Sequence, residues 1–517
     1  MPGTLRNHNR ASLLATFFAL LVCIAGIARA EIALAPLFAD HAVLQRDKPV
    51  PVWGRADPDA QVTVSFQKQT ATAIAEADGR WTAWLKPLSA SSEPEDMIVS
   101  VSDGGGRQTI RVRDILVGEV WLCSGQSNME WPVKQAQNAE REIASANNPL
   151  IRHISIKQRV AKTPMDTVPT GGWKSASPET AGDFTAAGYF FAREMQPRLG
   201  VPVGLVNSSM GGGIIEGWMP DKTLTDNPAF AVITQRWQQI LDEYPAKKAE
   251  YDAEMQRRAK AGAQQEDKSK PVFPRINPPI GPGHKYTPSG LHNGSIHPLI
   301  PYALRGVLWY QGEMNAGRPE EYNPLFSAMI KQWREDFGQG NIPFLWVQLP
   351  NFKSGDPAET DWARLREAQT QTLSLPATGQ AVTIDIGDVE DIHPKNKQDV
   401  GLRLALLARA LVYGEPVECT GPVFDRASRE GAAMRVHFST GAKGLVLRKH
   451  SATAFQLAGA DKEFHPAEAR VENDTVIVTS TKVPAPVAVR YAWFNAPEAS
   501  LYNAAALPAG PFRSDNW

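Results

Sequence analysis

The sequence predicts an α/β protein: a three-layer domain with a parallel sheet, flanked by N- and C-terminal β-sandwich-like domains. Three observations lead there. Between Asp114 and residue 416, apolar runs alternate with helical patterns, as in a parallel sheet with crossovers. On either side, in 31–113 and 417–517, short strand-like runs recur with turn residues between them. Within the middle stretch, apolar runs end in small, polar turns. Open α/β sheets bind ligands at such strand ends.

Residues 1–30 read as a secretory signal peptide. Arg6 and Arg10 supply positive charge, Leu13 to Ile27 is apolar, and Ala28-Arg29-Ala30 is an A-x-A cleavage site. The mature chain is expected to begin at Glu31 and to reach the periplasm or the medium. Val22 before Cys23 does not suit a lipoprotein signal, so no membrane anchor is expected. No later run is long and apolar enough to span a bilayer. A net charge of -1 over 517 residues argues against nucleic acid or an anionic membrane as the main partner.

The N-terminal flank carries strand-like runs at Val50 to Trp53, Val62 to Phe66, Trp81 to Leu85, Ile98 to Val101 and Ile110 to Val112. Asp57-Pro58, Asp78-Gly79 and Gly104-Gly105-Gly106 separate them. In the middle stretch, strands are expected at Val117 to Cys123, Val203 to Asn207, Leu304 to Tyr310, Pro343 to Leu349 and Ala381 to Ile386. Helices are expected at Phe184 to Leu199, ended by Gly200, and at Lys397 to Tyr413. A helical insertion is expected at about 221–284, with Ile233, Trp237, Ile240 and Leu241 at helical spacing. Its charges read as a solvated face. The C-terminal flank shows runs at Ala433 to Phe438, Leu445 to Leu447, Ala454 to Leu457, Thr475 to Val478 and Ala488 to Trp493. Of the 3 cysteines, Cys23 lies in the signal; Cys123 and Cys419 are expected to be free, buried thiols.

Chemistry concentrates in the turns. Ser127 follows the Val117 to Cys123 strand in Ser124-Gly125-Gln126-Ser127-Asn128, where a nucleophile meets backbone N–H groups. His393 lies in a late turn beside carboxylates, with Pro394 stiffening it. An imidazole titrates near neutrality, so His393 suits the general base. Gly211 and Gly212 let backbone approach a ligand closely.

GQSNM, SSMGGGIIEGWM, WYQGEMNA and DIHPKNK, in that order, resemble the sialate O-acetylesterase family, part of the wider SGNH (GDSL-like) hydrolases. The resemblance spans nearly the whole mature chain, and its four ordered motifs are specific as a set. It implies an SGNH-hydrolase-like central domain and a secreted serine esterase that removes O-acetyl groups from carbohydrates through an acetyl-enzyme. The implied nucleophile is Ser127 and the base His393. Asp391 is the first choice to orient the base; Glu390, at the three-residue spacing common among SGNH enzymes, and Asp388 stay open. The oxyanion hole is expected from the N–H of Ser127, an N–H of Gly211 or Gly212, and the side-chain amide of Gln311, with Asn315 as second choice. His292, Asn293, Glu313 and Asn315 are candidate substrate contacts. Glu313 is also expected to order its loop by accepting N–H bonds. His41 and His297 read as structural, and Arg318 as a surface residue. No metal or cofactor is expected. The substrate stays open between acetylated sialic acids and plant wall polymers such as xyloglucan or xylan.

Three other readings compete. A metal hydrolase using Asp388, Asp391 and His393 lacks a second histidine at ligand spacing. A glycosidase would pair Glu313 with Asp391. A carbohydrate-binding protein with an inert central domain would not need Ser127, Gln311, Asp391 and His393 together.

Overall fold

The computed structural model describes residues 32–103, 106–263, 276–356, 358, 360–441, 443–448 and 454–517. The signal segment and residues 264–275 of the insertion lie outside the described residues.

The central sheet is built from β1 (Gly106–Gly125), β2 (Asn148–Ile156), β3 (Thr170–Ala176), β4 (Val203–Ser209), β5 (Gly306–Tyr310), β6 (Phe344–Val347) and β7 (Thr378–Ala381). Their order across the sheet is β3-β2-β4-β1-β5-β6-β7. Neighbours from β2 to β7 are parallel, and β3 closes the edge antiparallel to β2. The long helices are α1 (Ala186–Leu199), α2 (Ala231–Ala263), α3 (Pro319–Phe337), α4 (Asp361–Gln371) and α5 (Lys397–Leu411).

Alternation along the strands makes the layers. Trp121, Leu205, Leu308 and Leu345 join one core with Phe190, Phe191 and Met195 of α1 and Leu404 and Leu407 of α5. Their strand neighbours Leu122, Val206, Val307, Trp309 and Phe344 join the other core with Phe326 and Trp333 of α3 and Leu365 of α4. Both faces of the sheet are therefore covered, as a parallel sheet requires.

β1 spans 20 residues and serves two neighbourhoods. Its first part pairs antiparallel with Ser91–Asp103, and its last part runs parallel to β4 and β5. The change of pattern at Asp114 falls inside this strand, where Asp114 takes a left-handed φ of 53°. Arg152 of β2 holds both the carbonyl and the carboxylate of Asp114. In the N-terminal region, Val50–Arg55 and Arg80–Leu85 lie in one sheet and Gln61–Phe66 in another. Val52, Trp81, Val62 and Val64 from both share one core.

The C-terminal region is a 7-stranded sheet with a separate 2-stranded pair. Arg366 of α4 stitches it to the centre: its fully buried guanidinium donates to the carbonyls of Leu349, Pro350, Phe494 and Asn495. On the other side, buried Glu119 gathers Gln45, Arg46 and Arg305. Cys123 is buried, Cys419 is half-buried, and both are free.

Several elements differ from the sequence reading. β2 is absent from it because Arg152 and His153 interrupt the apolar run, although both are buried here. β3, α3 and α4 are absent too. The last central strand is Thr378–Ala381, not Ala381 to Ile386. The apolar residues after Ala381 instead serve two cores, Ile384 the C-terminal one and Ile386 that of α1 and α5. Among the described residues, no helix is long and apolar enough to cross a membrane.

Candidate active site

β1 delivers Ser127. It ends at Gly125, whose φ of 131° suits glycine, and whose missing side chain leaves room for the Tyr310 carbonyl. Gln126 then starts the short helix Ser127–Glu130. The Gln126 N–H donates to the Tyr310 carbonyl, and its side-chain oxygen accepts from the N–H groups of Gly312 and Met314. Ser127 is the first helical residue, a position whose N–H has no intrahelical acceptor.

Ser127 Oγ lies 2.8 Å from His393 Nε2. The two residues are 266 positions apart, and two adjacent loops bring them together. Trp131 stacks on the imidazole, with centroids 4.9 Å and planes 14° apart. Burial holds the His393 pKa below its ordinary value; the Asp391 charge opposes that shift and the Lys397 charge adds to it. The imidazole therefore stays neutral into mildly acidic solution.

The carboxylates beside the histidine have different roles. Asp391 Oδ1 is 3.7 Å from His393 Nδ1, beyond a hydrogen bond, and accepts the His393 backbone N–H at 2.9 Å. Asp388 Oδ1 accepts the backbone N–H groups of Glu390 and Asp391. Glu390 points to Lys353, at 4.0 Å. Asp391 is thus the carboxylate nearest the ring, and its direct bond is to the loop.

Behind the nucleophile runs a buried polar network absent from the sequence reading. Asn128 Nδ2 donates to Glu313 Oε1 at 2.6 Å and to the Ile392 carbonyl at 2.9 Å. Lys397 Nζ donates to Asn128 Oδ1 at 2.6 Å. Lys397 is fully buried, and desolvation pulls its pKa down to about 7, against the pull of Glu313 and Asp391. Burial raises the Glu313 pKa, with Asn128 and Lys397 restraining it. The residue after Ser127 therefore grips the peptide just before His393. The signal for this was in GQSNM and DIHPKNK, but a buried lysine has no mark of burial in sequence.

The third motif holds the two amides expected at the oxyanion hole, Gln311 and Asn315, in a buried network. Gln311 is fully buried, and its Nε2 donates to Asn315 Oδ1 at 2.8 Å and the Gly213 carbonyl at 3.3 Å. Its oxygen accepts the Tyr322 hydroxyl at 3.0 Å. An amide has two N–H donors, and both are committed. Asn315 is equally enclosed: it accepts from Ile215 N–H and donates to Glu216. Gln311 therefore has both donors committed in this arrangement, while Asn315 commits one to Glu216.

His292 and Asn293, expected as substrate contacts, lie below the surface. Both are buried: Asn293 donates to the carbonyls of Ala161 and Lys162, and the His292 ring faces Asp336. Glu313 is buried, accepts the Asn128 amide, and takes backbone hydrogen bonds from Gly312 and its own residue, as expected of a group that orders its loop. His297 meets the Met165 carbonyl, and Arg318 pairs with Glu216 and Glu321. Gly211 lies beside Ser127, where an added Cβ would come 3.8 Å from the serine Cβ, and Gly212 follows it against Lys285.

Comparison with known proteins identifies the family. A family model described as carbohydrate esterase, sialic acid-specific acetylesterase, matches residues 117–257 and 295–410. The sialate O-acetylesterase of Rattus norvegicus is 30% identical, over 95% of this chain and 96% of that one. That of Homo sapiens is 28% identical, over 89% and 88%. The crystal structure of a carbohydrate acetylesterase from Xanthomonas citri superposes with a TM-score of 0.79 at 42% identity, covering 94% of this chain and all of that one. The chain belongs to the sialate O-acetylesterase family of carbohydrate esterases and is a carboxylic ester hydrolase.

Proposed function

We propose that the protein is an exported serine esterase that removes acetyl groups from carbohydrate hydroxyls, with Ser127 as nucleophile and His393 as general base. The carrying observation is the 2.8 Å contact between Ser127 Oγ and His393 Nε2. His393 takes the Ser127 proton as Oγ bonds to the acetyl carbon. The oxyanion is received by the Ser127 N–H and an N–H of the Gly211-Gly212 turn. The bond to the sugar oxygen then breaks, and His393 returns the proton to that oxygen. Water repeats the sequence on the acetyl-enzyme: His393 takes its proton, and the departing Ser127 oxygen regains one.

Asp391 acts on His393 mainly through the loop backbone and through charge. Trp131 and the Asn128 bond to the Ile392 carbonyl supply the orientation that an acid–imidazole bond would otherwise give. The proposal includes export through the signal at 1–30, a division into 31–113, 114–416 and 417–517, and an O-acetylated carbohydrate as substrate.

The test is hydrolysis of 4-nitrophenyl acetate and butyrate by wild type and Ser127→Ala, with and without EDTA. Acetate preference, resistance to EDTA and loss in the variant support the reading. Activity that survives in Ser127→Ala, or that EDTA abolishes, rejects it. Acetyl release from O-acetylated sialoglycans, against acetylated xyloglucan and xylan, then identifies the substrate.

A further inference from the structure

We propose that Lys285 and Glu130 are positioning residues that clamp the peptide units at Gly211 and leave the Gly212 N–H, rather than that of Gly211, to complete the oxyanion hole. This rests on the acyl-transfer reading at Ser127. A Cβ on Gly211 would come 3.8 Å from that of Ser127, so the glycine turn borders Ser127; it offers two N–H groups, and the structure distinguishes them. The Gly211 N–H is already spent: it donates to Glu130 Oε2 at 2.7 Å. The other oxygen of that carboxylate accepts Gln158 Nε2 at 2.6 Å, so the acceptor is itself held.

The carbonyl of Gly211 is spent as well, accepting Lys285 Nζ at 2.7 Å. In a trans peptide the C=O and the following N–H point opposite ways. Holding the Gly211 carbonyl on the ammonium therefore turns the Gly212 N–H away from Lys285. Gly212 has φ of 68°, and a Cβ there would meet Lys285 Nζ at 2.5 Å. The side chain that glycine lacks is the space the ammonium occupies. Without that ammonium, the peptide between two glycines has little to resist rotation. A rotated peptide turns its carbonyl where its N–H had been, which opposes an oxyanion.

The experiment measures kcat and KM on 4-nitrophenyl acetate for Lys285→Met, Lys285→Arg, Glu130→Ala and Ser127→Ala, with a thermal melt of each. Lys285→Met is expected to lower kcat about 10- to 100-fold at nearly constant KM, short of the roughly 10²–10³ of deleting an oxyanion donor. Lys285→Arg, which keeps a cationic donor, should recover most of that loss. Glu130→Ala should lower kcat about 10-fold and gives an independent test should Lys285→Met fold poorly. Unchanged kcat in Lys285→Met, beside an inactive Ser127→Ala, overturns the inference alone. So does a KM increase confined to carboxylated sugar esters, which makes Lys285 a substrate contact. An active Ser127→Ala overturns the underlying reading and this inference with it.

Discussion

Two turns leave neighbouring strands of the parallel sheet, and their polar groups have opposite fates. After β1, Ser124 to Asn128 presents a hydroxyl to His393. After β5, Gln311 to Asn315 turns its amides inward to Gly213, Tyr322 and Glu216. In sequence the two are alike: an apolar strand, one glycine, and amide or hydroxyl side chains. What differs is the surroundings. The first turn opens toward the loop of His393; the second is roofed by the Gly213 turn and by Tyr322 and Glu216. A polar residue at a strand end is available for chemistry only if nothing in the fold has already satisfied it.

The strongest way to break this comparison is to remove the hydroxyl that faces His393. Ser127→Ala should lower kcat about 10⁴-fold or more with the melting temperature nearly unchanged. Activity within tenfold of wild type would erase the distinction between the turns.

Asn128→Ala tests the link between the first turn and the histidine loop. It leaves Lys397 and Glu313 without their bridge and frees the Ile392 carbonyl. Leaving a buried group without its hydrogen-bond partner costs about 1–3 kcal/mol, and more where the group is charged. The expected outcome is a clear drop in melting temperature together with a kcat loss of about 10- to 100-fold. A stability loss with kcat intact would leave Asn128 without a role in placing His393.

Asp391→Asn should have a smaller effect, below about tenfold in kcat, because the carboxylate is 48% exposed and its direct bond is to backbone. The pH profile sharpens this. The base works when neutral, and burial depresses its pKa, so the acid limb of kcat/KM should fall below the ordinary histidine range. The Asp391 charge raises that pKa. Removing it should therefore move the limb lower still; an upward movement contradicts the assigned influence.

Gln311→Ala gives the smallest kinetic effect and the sharpest contrast. It should cost about 1–3 kcal/mol of stability, as buried partners lose their hydrogen bonds, and leave kcat within about threefold. A kcat loss of about 10²-fold at constant stability would return Gln311 to the oxyanion hole.

Much of the fold was legible because the parallel strands are continuous apolar runs, and their alternation sends residues to two cores. β2 was hidden because buried Arg152 and His153 look like surface residues until Asp114 supplies a partner for the arginine. Ala381 to Ile386 looked like a strand because its apolar residues pack against cores, though different ones.

At the site, sequence by itself determined which residue types are offered: Ser127 after a strand, His393 in a late turn, glycines between. The spacing of motifs and the chemistry of a hydroxyl and an imidazole are enough for that. Only the tertiary structure decided which polar groups remain available. Folding brings positions 266 apart to 2.8 Å, spends Gln311 on its own shell, and buries Lys397 against Asn128. The reason is physical: hydrogen-bond capacity is finite, and which partners consume it depends on contacts between distant segments.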